Sequence, residues 1–343
     1  MLVIDGSMST ALEKLGFPIK NGGLWTAEAL IRSPELVKKV HLDYFRAGAD
    51  MGISCSYQAS MKGLREHGFS SRQAEALIRR SMDLLKEART EFWQAYKETD
   101  AETSQESGIM KHRDQPEADN PVDQSGAGTS GEKSFSRPYP LALGSCGPYG
   151  AYLGDGSEYR GNYGISDKQL LAFHRERAEI LLDSGSDLLL FETAPSLHEA
   201  EIEADLAESL HADYWISFSC RDGHHTSEGQ TIAECVKLFS DRGRFPGLKM
   251  IGVNCTLPEY ISSLITEFLP SGLPVAVYPN SGMVYDLRRK IWKGNGSPGK
   301  FHDYALEWYK LGASAVGGCC TTGPDHIRAV KSARDQLIRE REK

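Results

Sequence analysis

Long apolar runs are missing from this chain. Stretches such as Leu188-Leu189-Leu190-Phe191 fall far short of the ~20 residues that a membrane-spanning helix needs. The opening Met1-Leu2-Val3-Ile4-Asp5 lacks a basic patch followed by an apolar stretch, which predicts no secretory leader. A cationic surplus is missing too. With 39 Lys and Arg against 47 Asp and Glu, the net charge is -8. That argues against binding a nucleic-acid backbone, which needs a basic face. Nor do the cysteines suggest pairing. Seven is an odd number in a long chain, so reduced thiols in the cytosol are expected rather than a disulfide framework.

What remains has the composition of an ordinary globular enzyme, 40% hydrophobic and 25% charged over 343 residues. This length buries a sizeable core, and single α/β barrels reach it. Eight short β-rich runs recur: Leu2–Ile4, Met51–Ser54, Leu141–Gly144, Leu188–Phe191, Trp215–Ser219, Ile251–Asn254, Val275–Tyr278 and Ala315–Gly318. Segments of helical period lie between most of them. In Pro34–Phe45, Leu36, Val40 and Phe45 are apolar and Lys38, Lys39 and Asp43 are polar. Asp167–Leu182 repeats the pattern. Gly48, Gly185 and Gly312 read as helix-ending caps just before a strand. Alternating strand and helix implies parallel pairing. Eight such units predict an α/β fold of the (β/α)8 TIM type, one domain over residues 1–343, with a doubly wound open sheet as the alternative. Residues 99–137 break the pattern. They are rich in Asp, Glu, Ser, Gln, Gly and Pro and have no apolar period. They read as a disordered, low-complexity insertion between the second helix and the third strand, and deleting about Thr103 to Gly131 should leave fold and activity nearly intact.

In such a barrel the active site lies at the C-terminal ends of the strands. Those ends deliver Asp5-Gly6, Cys55-Ser56-Tyr57-Gln58, Cys146-Gly147-Pro148-Tyr149, Glu192-Thr193, Cys220-Arg221, Cys255, Pro279-Asn280-Ser281-Gly282 and Cys319-Cys320. Cys319 and Cys320 leave one strand end together, and Cys255 lies two strands back. Three thiolates with a fourth position left for substrate is the ligand set of a catalytic zinc. The competing role for these thiols is packing as small hydrophobes. Cys55, Cys146 and Cys220 are rivals for the ligand role and better read as packing, while Cys235 falls in a helical stretch. His224-His225 follows the turn signal Arg221-Asp222-Gly223 and reads as solvated. His41 and Asp43 fall on a helix and read as packing or surface.

The chain resembles the homocysteine S-methyltransferases, in particular the branch using S-methylmethionine or S-adenosylmethionine. Leu24-Trp25-Thr26-Ala27, Ser56-Tyr57-Gln58-Ala59, Gly156-Ser157-Glu158-Tyr159-Arg160-Gly161, Phe191-Glu192-Thr193, Gly252-Val253-Asn254-Cys255, Tyr278-Pro279-Asn280-Ser281-Gly282 and Gly317-Gly318-Cys319-Cys320 carry the resemblance. It covers nearly everything outside residues 99–137. The resemblance implies a barrel whose Zn2+ is held by Cys255, Cys319 and Cys320. It implies methyl transfer to homocysteine in methionine biosynthesis, with Asp5 and Glu192 on the amino group of homocysteine. The amides of Gly6 and Ser7 suit its carboxylate. Trp25, Tyr57 and Tyr149 are candidates to flank a sulfonium, and Gln58 and Asn280 are candidates to hydrogen-bond substrate. Three positions depart from the family pattern: Ser7 where a second Gly is frequent, Met283 where Glu is common, and Thr321 where Arg commonly follows the cysteine pair. Within the superfamily, betaine as donor and selenocysteine as acceptor are alternatives. A non-catalytic zinc–thiolate protein is the alternative of another class.

Overall fold

In the computed structural model the backbone is described at residues 1–19, 24–106, 137–286, 291–293 and 296–343. The side chains of 100–106, 284–286 and 291–293 are not part of that description. Eight strands form one parallel sheet: β1 (Leu2–Val3), β2 (Met51–Ile53), β3 (Leu141–Cys146), β4 (Leu188–Ala194), β5 (Tyr214–Phe218), β6 (Leu248–Asn254), β7 (Val275–Tyr278) and β8 (Ala315–Val316). Each of the eight apolar runs is a strand. The sheet closes on itself. β8 lies between β1 and β7, with Leu2 opposite Ala315 and Ala315 opposite Ala276. A parallel bridge from Ile4 to Met51 joins β1 to β2, flanked by Asp5 N–H to Met51 O at 3.0 Å and Asp50 N–H to Val3 O at 2.7 Å. The open-sheet alternative is excluded by that seam.

The period-2 alternation of side chains explains the two apolar layers. Leu143, Leu190, Trp215, Met250, Ala276, Tyr278 and Ala315 point inward and fill the barrel, with Ile4 and Met51 at the seam. Trp215 and Tyr278 meet edge to face, with ring centroids 5.3 Å apart. Their neighbours Leu189, Phe191, Ile216, Val275 and Val277 point outward into the layer shared with the helices. The barrel interior is therefore packed, and substrate has only the rim of the strands to use.

Five helices position the rim or brace it: α1 (Met8–Lys14), α2 (Pro34–Ala47), α3 (Ser71–Glu106), α4 (Asp167–Asp183) and α5 (Leu197–Ser209). α2 turns its apolar stripe inward, burying Val37, Val40, His41, Tyr44 and Phe45. It ends on Gly48 at φ 114°, a conformation that costs a residue with a Cβ about 1–2 kcal/mol. α3 continues to Glu106, so the irregular stretch does not begin at Thr99. Ala101, Glu102, Gln105 and Glu106 are good helix formers, but they lack the apolar stripe by which a helix is read from sequence. The expectations for 107–136 lie outside the described residues. Beyond β7 the segments Val284–Asp286 and Ile291–Lys293 pair as an antiparallel hairpin, a feature that the apolar pattern of the sequence does not predict.

The end of the barrel remote from the strand C-termini is tied by charge. Asp50 Oδ2 accepts from Val3 N–H at 2.9 Å and from Arg334 Nη1 at 2.6 Å, and Arg137 Nε lies 3.2 Å from Oδ1. These groups are nearly inaccessible, so the pairs are screened less than surface ones. No described helix is long and apolar enough to cross a membrane.

Candidate metal centre

At the rim, the last residues of β6 and β8 bring three thiols together. Cys255 follows β6 at φ 48°, a left-handed conformation that costs a non-glycine residue ~1–3 kcal/mol and that the surrounding structure holds. Its N–H donates to Tyr278 O at 3.3 Å. Cys319 is fixed by its N–H to Pro279 O at 2.7 Å, and Cys320 by its carbonyl, which accepts from Ser281 N–H at 3.1 Å. Gly317 is required here. A Cβ on it would lie 2.5 Å from Ile4 Cβ and 2.8 Å from Ile4 O, which would prise β8 off β1.

Cys255 Sγ lies 2.9 Å from Cys319 Sγ and 3.3 Å from Cys320 Sγ. All three are partly exposed. The Tyr159 hydroxyl donates to Cys255 Sγ at 3.4 Å. Donation from the two neighbouring thiols holds the Cys255 thiol well below its usual range. Three convergent soft donors, with no His, Asp or Glu in the group among the described residues, fit a three-ligand metal site with room for a substrate sulfur. They do not fit a closed four-ligand structural site. The other cysteines behave differently. Burial raises Cys55 and Cys235 to about 12 and Cys146 to about 11, and raises Cys220 as well. They are protonated packing residues.

Two carboxyl groups stand in the floor of the site. Asp5 is buried, its Oδ2 accepts from Ile53 N–H at 2.8 Å, and burial raises its pKa, with Glu192 adding to the shift. Glu192 is buried and accepts from the Ser145 hydroxyl and from Tyr278 OH at 3.3 Å. Burial pushes it to about 7. Carboxyl groups whose pKa burial raises are matched by an incoming cation. Asn254 fixes the adjacent turn. Its Oδ1 accepts from Thr193 N–H at 2.8 Å and its Nδ2 donates to Thr193 Oγ1 at 2.7 Å, holding Thr193 at φ 62°.

The remaining candidates divide. A Cβ on Gly6 would lie 2.8 Å from the Tyr44 ring, so only glycine fits. Ser7 is spent on the protein: its N–H donates to Thr322 Oγ1 at 3.3 Å and its hydroxyl accepts from Thr10 N–H to cap α1. Tyr57 feels the charges of Cys255, Glu158 and Glu192 and so faces the site. Arg177 on α4 braces it, donating to the Tyr57 carbonyl at 2.9 Å and to the Gly147 carbonyl. Gln58 donates to Ala151 O at 3.1 Å, and its Oε1 is buried without a protein partner. Asn280 accepts from Gly282 N–H at 3.2 Å, closing its own turn. Trp25 precedes Thr26, whose carbonyl accepts from Cys55 at the end of β2. Tyr149 goes elsewhere. Its ring packs on Tyr163 and Phe173, with centroids 5.4 and 5.0 Å apart. The tyrosine at the thiols is instead Tyr159, in a short 3-10 turn, Ser157–Tyr159, whose only sequence signal was its place in a family motif. His224 and His225 pair with Glu267 and Asp222 at the surface, away from the thiols.

Comparison with known proteins agrees with this site. The family model for homocysteine S-methyltransferase matches residues 2–334. The homocysteine S-methyltransferase YbgG of Bacillus subtilis is 39% identical, covering 96% of this chain and 93% of that protein. The selenocysteine methyltransferase of Astragalus bisulcatus is 38% identical, covering 96% of this chain and 90% of that protein. The metallated form of the homocysteine methyltransferase MmuM from Escherichia coli superimposes with a TM-score of 0.75 at 36% identity, covering 97% and 96% of the two chains. The barrel, the thiols at its rim and these relatives converge on one conclusion: the chain belongs to the homocysteine S-methyltransferase family.

Proposed function

We propose that this protein transfers a methyl group from a sulfonium donor, S-methylmethionine or S-adenosylmethionine, to the thiol of homocysteine, giving methionine, with zinc held by Cys255, Cys319 and Cys320. The observation that carries the reading is the convergence of three cysteine sulfurs at the barrel rim without a fourth protein ligand among the described residues. A free thiol has a pKa of about 8.5, so only a few per cent is nucleophilic at neutral pH. When bound, zinc lowers that pKa so that a coordinating thiol is deprotonated outright.

The chain's own residues do the rest. Asp5 and Glu192 receive the acceptor's ammonium, which returns both to the ionised form. Tyr57, braced by Arg177, and Tyr159 wall the site and limit access of water. The acceptor sulfur forms a bond to the methyl carbon while the donor's carbon–sulfur bond breaks, and its electron pair stays on the leaving sulfur. The leaving group is a neutral thioether, so no general acid is required, and the protein's work is alignment. The thiol proton is released to solvent before attack, when the thiolate forms.

A panel of S-methylmethionine, S-adenosylmethionine and betaine with homocysteine, read as methionine formed, tests the reaction. Selenocysteine in place of homocysteine tests the acceptor, a choice raised by the Astragalus relative. Metal analysis of the purified protein should give one zinc per chain. Failure with every sulfonium donor rejects the proposed reaction.

A further inference from the structure

The turn over the thiols carries a carboxylate that the proposed methyl transfer does not use. Glu158 Oε2 is sealed from solvent and has no hydrogen-bond partner. Asp5 and Glu192 each accept from protein donors, so Glu158 is the different one. A buried, unpartnered carboxylate oxygen is costly and persists where a bound ligand answers it. Arg160 acts on it through charge and makes no hydrogen bond to this oxygen. Arg160 Nη2 turns to Asp155, 3.3 Å from Oδ2, at an exposed ion pair.

The backbone under Glu158 is held firmly. Its carbonyl accepts from the Ser219 hydroxyl at 3.1 Å. Its N lies 2.3 Å from where a Cβ on Gly150 would sit, so this glycine lets the turn press down on the residues after β3. The neighbouring Tyr159 touches Cys255 while remaining 44% exposed. The turn therefore stands between the thiols and solvent, and Glu158 lies within electrostatic reach of Cys255 and Cys320.

Two kinds of cation enter this site, and they differ in what they ask for. An ammonium has three N–H donors and wants several acceptors, which the Asp5 and Glu192 floor supplies. A sulfonium has charge and no N–H or O–H. It gains from a bare carboxylate oxygen and loses nothing from the absence of directional partners. In-line transfer also puts the donor sulfur beyond the methyl, on the side away from the acceptor, which is the side of the covering turn.

We propose that Glu158 is the counter-charge for the donor's sulfonium and so selects cationic methyl donors. This rests on the reading of the reaction as sulfonium-to-thiol transfer. The donor loses its charge as the methyl leaves, so Glu158 binds the ground state more tightly than the transition state. It lowers the donor KM and does not raise kcat.

The test compares wild type, Glu158→Gln and Glu158→Asp as full-length, metal-loaded enzyme. It reads the KM of S-methylmethionine, the KM of homocysteine, metal content, and inhibition by trimethylsulfonium, a probe that carries the charge and no amino-acid end. In Glu158→Gln the donor KM and the trimethylsulfonium inhibition constant should rise together by about ten-fold or more. The homocysteine KM, kcat and metal content should stay within about two-fold. Glu158→Asp should recover most of the loss, which shows that charge rather than folding is read. Equal inhibition of wild type and Glu158→Gln by trimethylsulfonium overturns the proposal. So does a rise confined to homocysteine KM, which would move Glu158 to the acceptor. Absence of any sulfonium-dependent turnover in wild type rejects the reaction itself, and that result comes before either variant is consulted.

Discussion

Among the described residues, two groups of side chains have donor atoms close enough to hold an ion: Cys255, Cys319 and Cys320 at the rim, and His174, Glu199 and Glu203 between α4 and α5. The first opens toward solvent. The second is sealed, with His174, Glu199 and Glu203 at 1% exposure or less. Most lone pairs of the second group are already in use, although His174 Nδ1 and Glu203 Oε2 have no partner. Glu199 Oε1 accepts from Tyr149 N–H at 2.8 Å and lies 2.9 Å from His174 Nε2, and Glu199 Oε2 accepts from Tyr163 OH at 2.7 Å. Burial lowers the pKa of His174 and raises that of Glu203, and Arg177 adds a fixed positive charge beside both. A cation would have to displace protein hydrogen bonds, repel Arg177 and find a way in. Spacing of donors alone does not define a metal site. Free lone pairs, a favourable field and access decide it, and the thiols have all three.

The largest expected effect tests the first half of that contrast. Cys319→Ala should take metal content from one per chain to near zero. Turnover should fall by at least roughly a hundred-fold, the upper range for losing a mere support of a metal ligand. Full metal occupancy in the variant removes the thiol assignment. The second half is tested by Glu199→Ala, which takes an acceptor from His174, Tyr163 and the Tyr149 N–H. Breaking a buried pair typically costs about 3–5 kcal/mol, so denaturant unfolding should show a loss of this size while metal content stays at one. A wild type that binds two ions per chain would dissolve the distinction.

Next in size is Glu192→Gln. The carboxylate belongs to the rim without belonging to the metal. A charge-assisted hydrogen bond is worth about 1.5–3 kcal/mol, so the homocysteine KM should rise roughly ten- to a hundred-fold with metal retained. Loss of metal with unchanged homocysteine affinity would make Glu192 part of the metal site.

The smallest effect compares histidines. His174 has carboxylates beside it, whereas both ring nitrogens of buried His41 lack partners, and burial pushes its pKa down to about 3. In the unfolded chain the value is about 6.5. Below that pH the unfolded state takes up a proton that the native state refuses, so stability falls as pH falls. Between pH 7 and 5.5 this one residue should remove roughly 1 kcal/mol. Unfolding of His41→Leu at the two pH values should show a correspondingly flatter dependence. An unchanged slope would mean that His41 is protonated in the native state.

The barrel was legible because each strand is a short β-rich run with a polar residue at its end, and the helices between carry a 3.6-residue stripe. Cys255, Cys319 and Cys320 were legible for the same reason, since strand ends converge once the barrel is assumed. Other features depend on contacts between distant segments. Tyr149 reads as a rim aromatic until Phe173 and Tyr163 are placed beside it. Arg177 reads as one charge on an amphipathic helix, yet it reaches two carbonyls at neighbouring strand ends. Glu158 and Tyr159 occupy a turn without period, and nothing local says that it folds down over the thiols. Ser7 suggests an amide for a ligand until Thr322, brought in by the last unit, takes that amide up.

The seam between β1 and β8 sets a timetable for biogenesis. Asp5 leaves the ribosome early, Cys255 late, and Cys319 and Cys320 later still. The barrel closes only when β8 slides between β1 and β7. A nascent or truncated chain ending before residue 315 offers one thiol at the rim and an unpaired β1 edge. Such a chain has neither a closed barrel nor the three-thiol cluster, so the cluster assembles only once the last strand is in place.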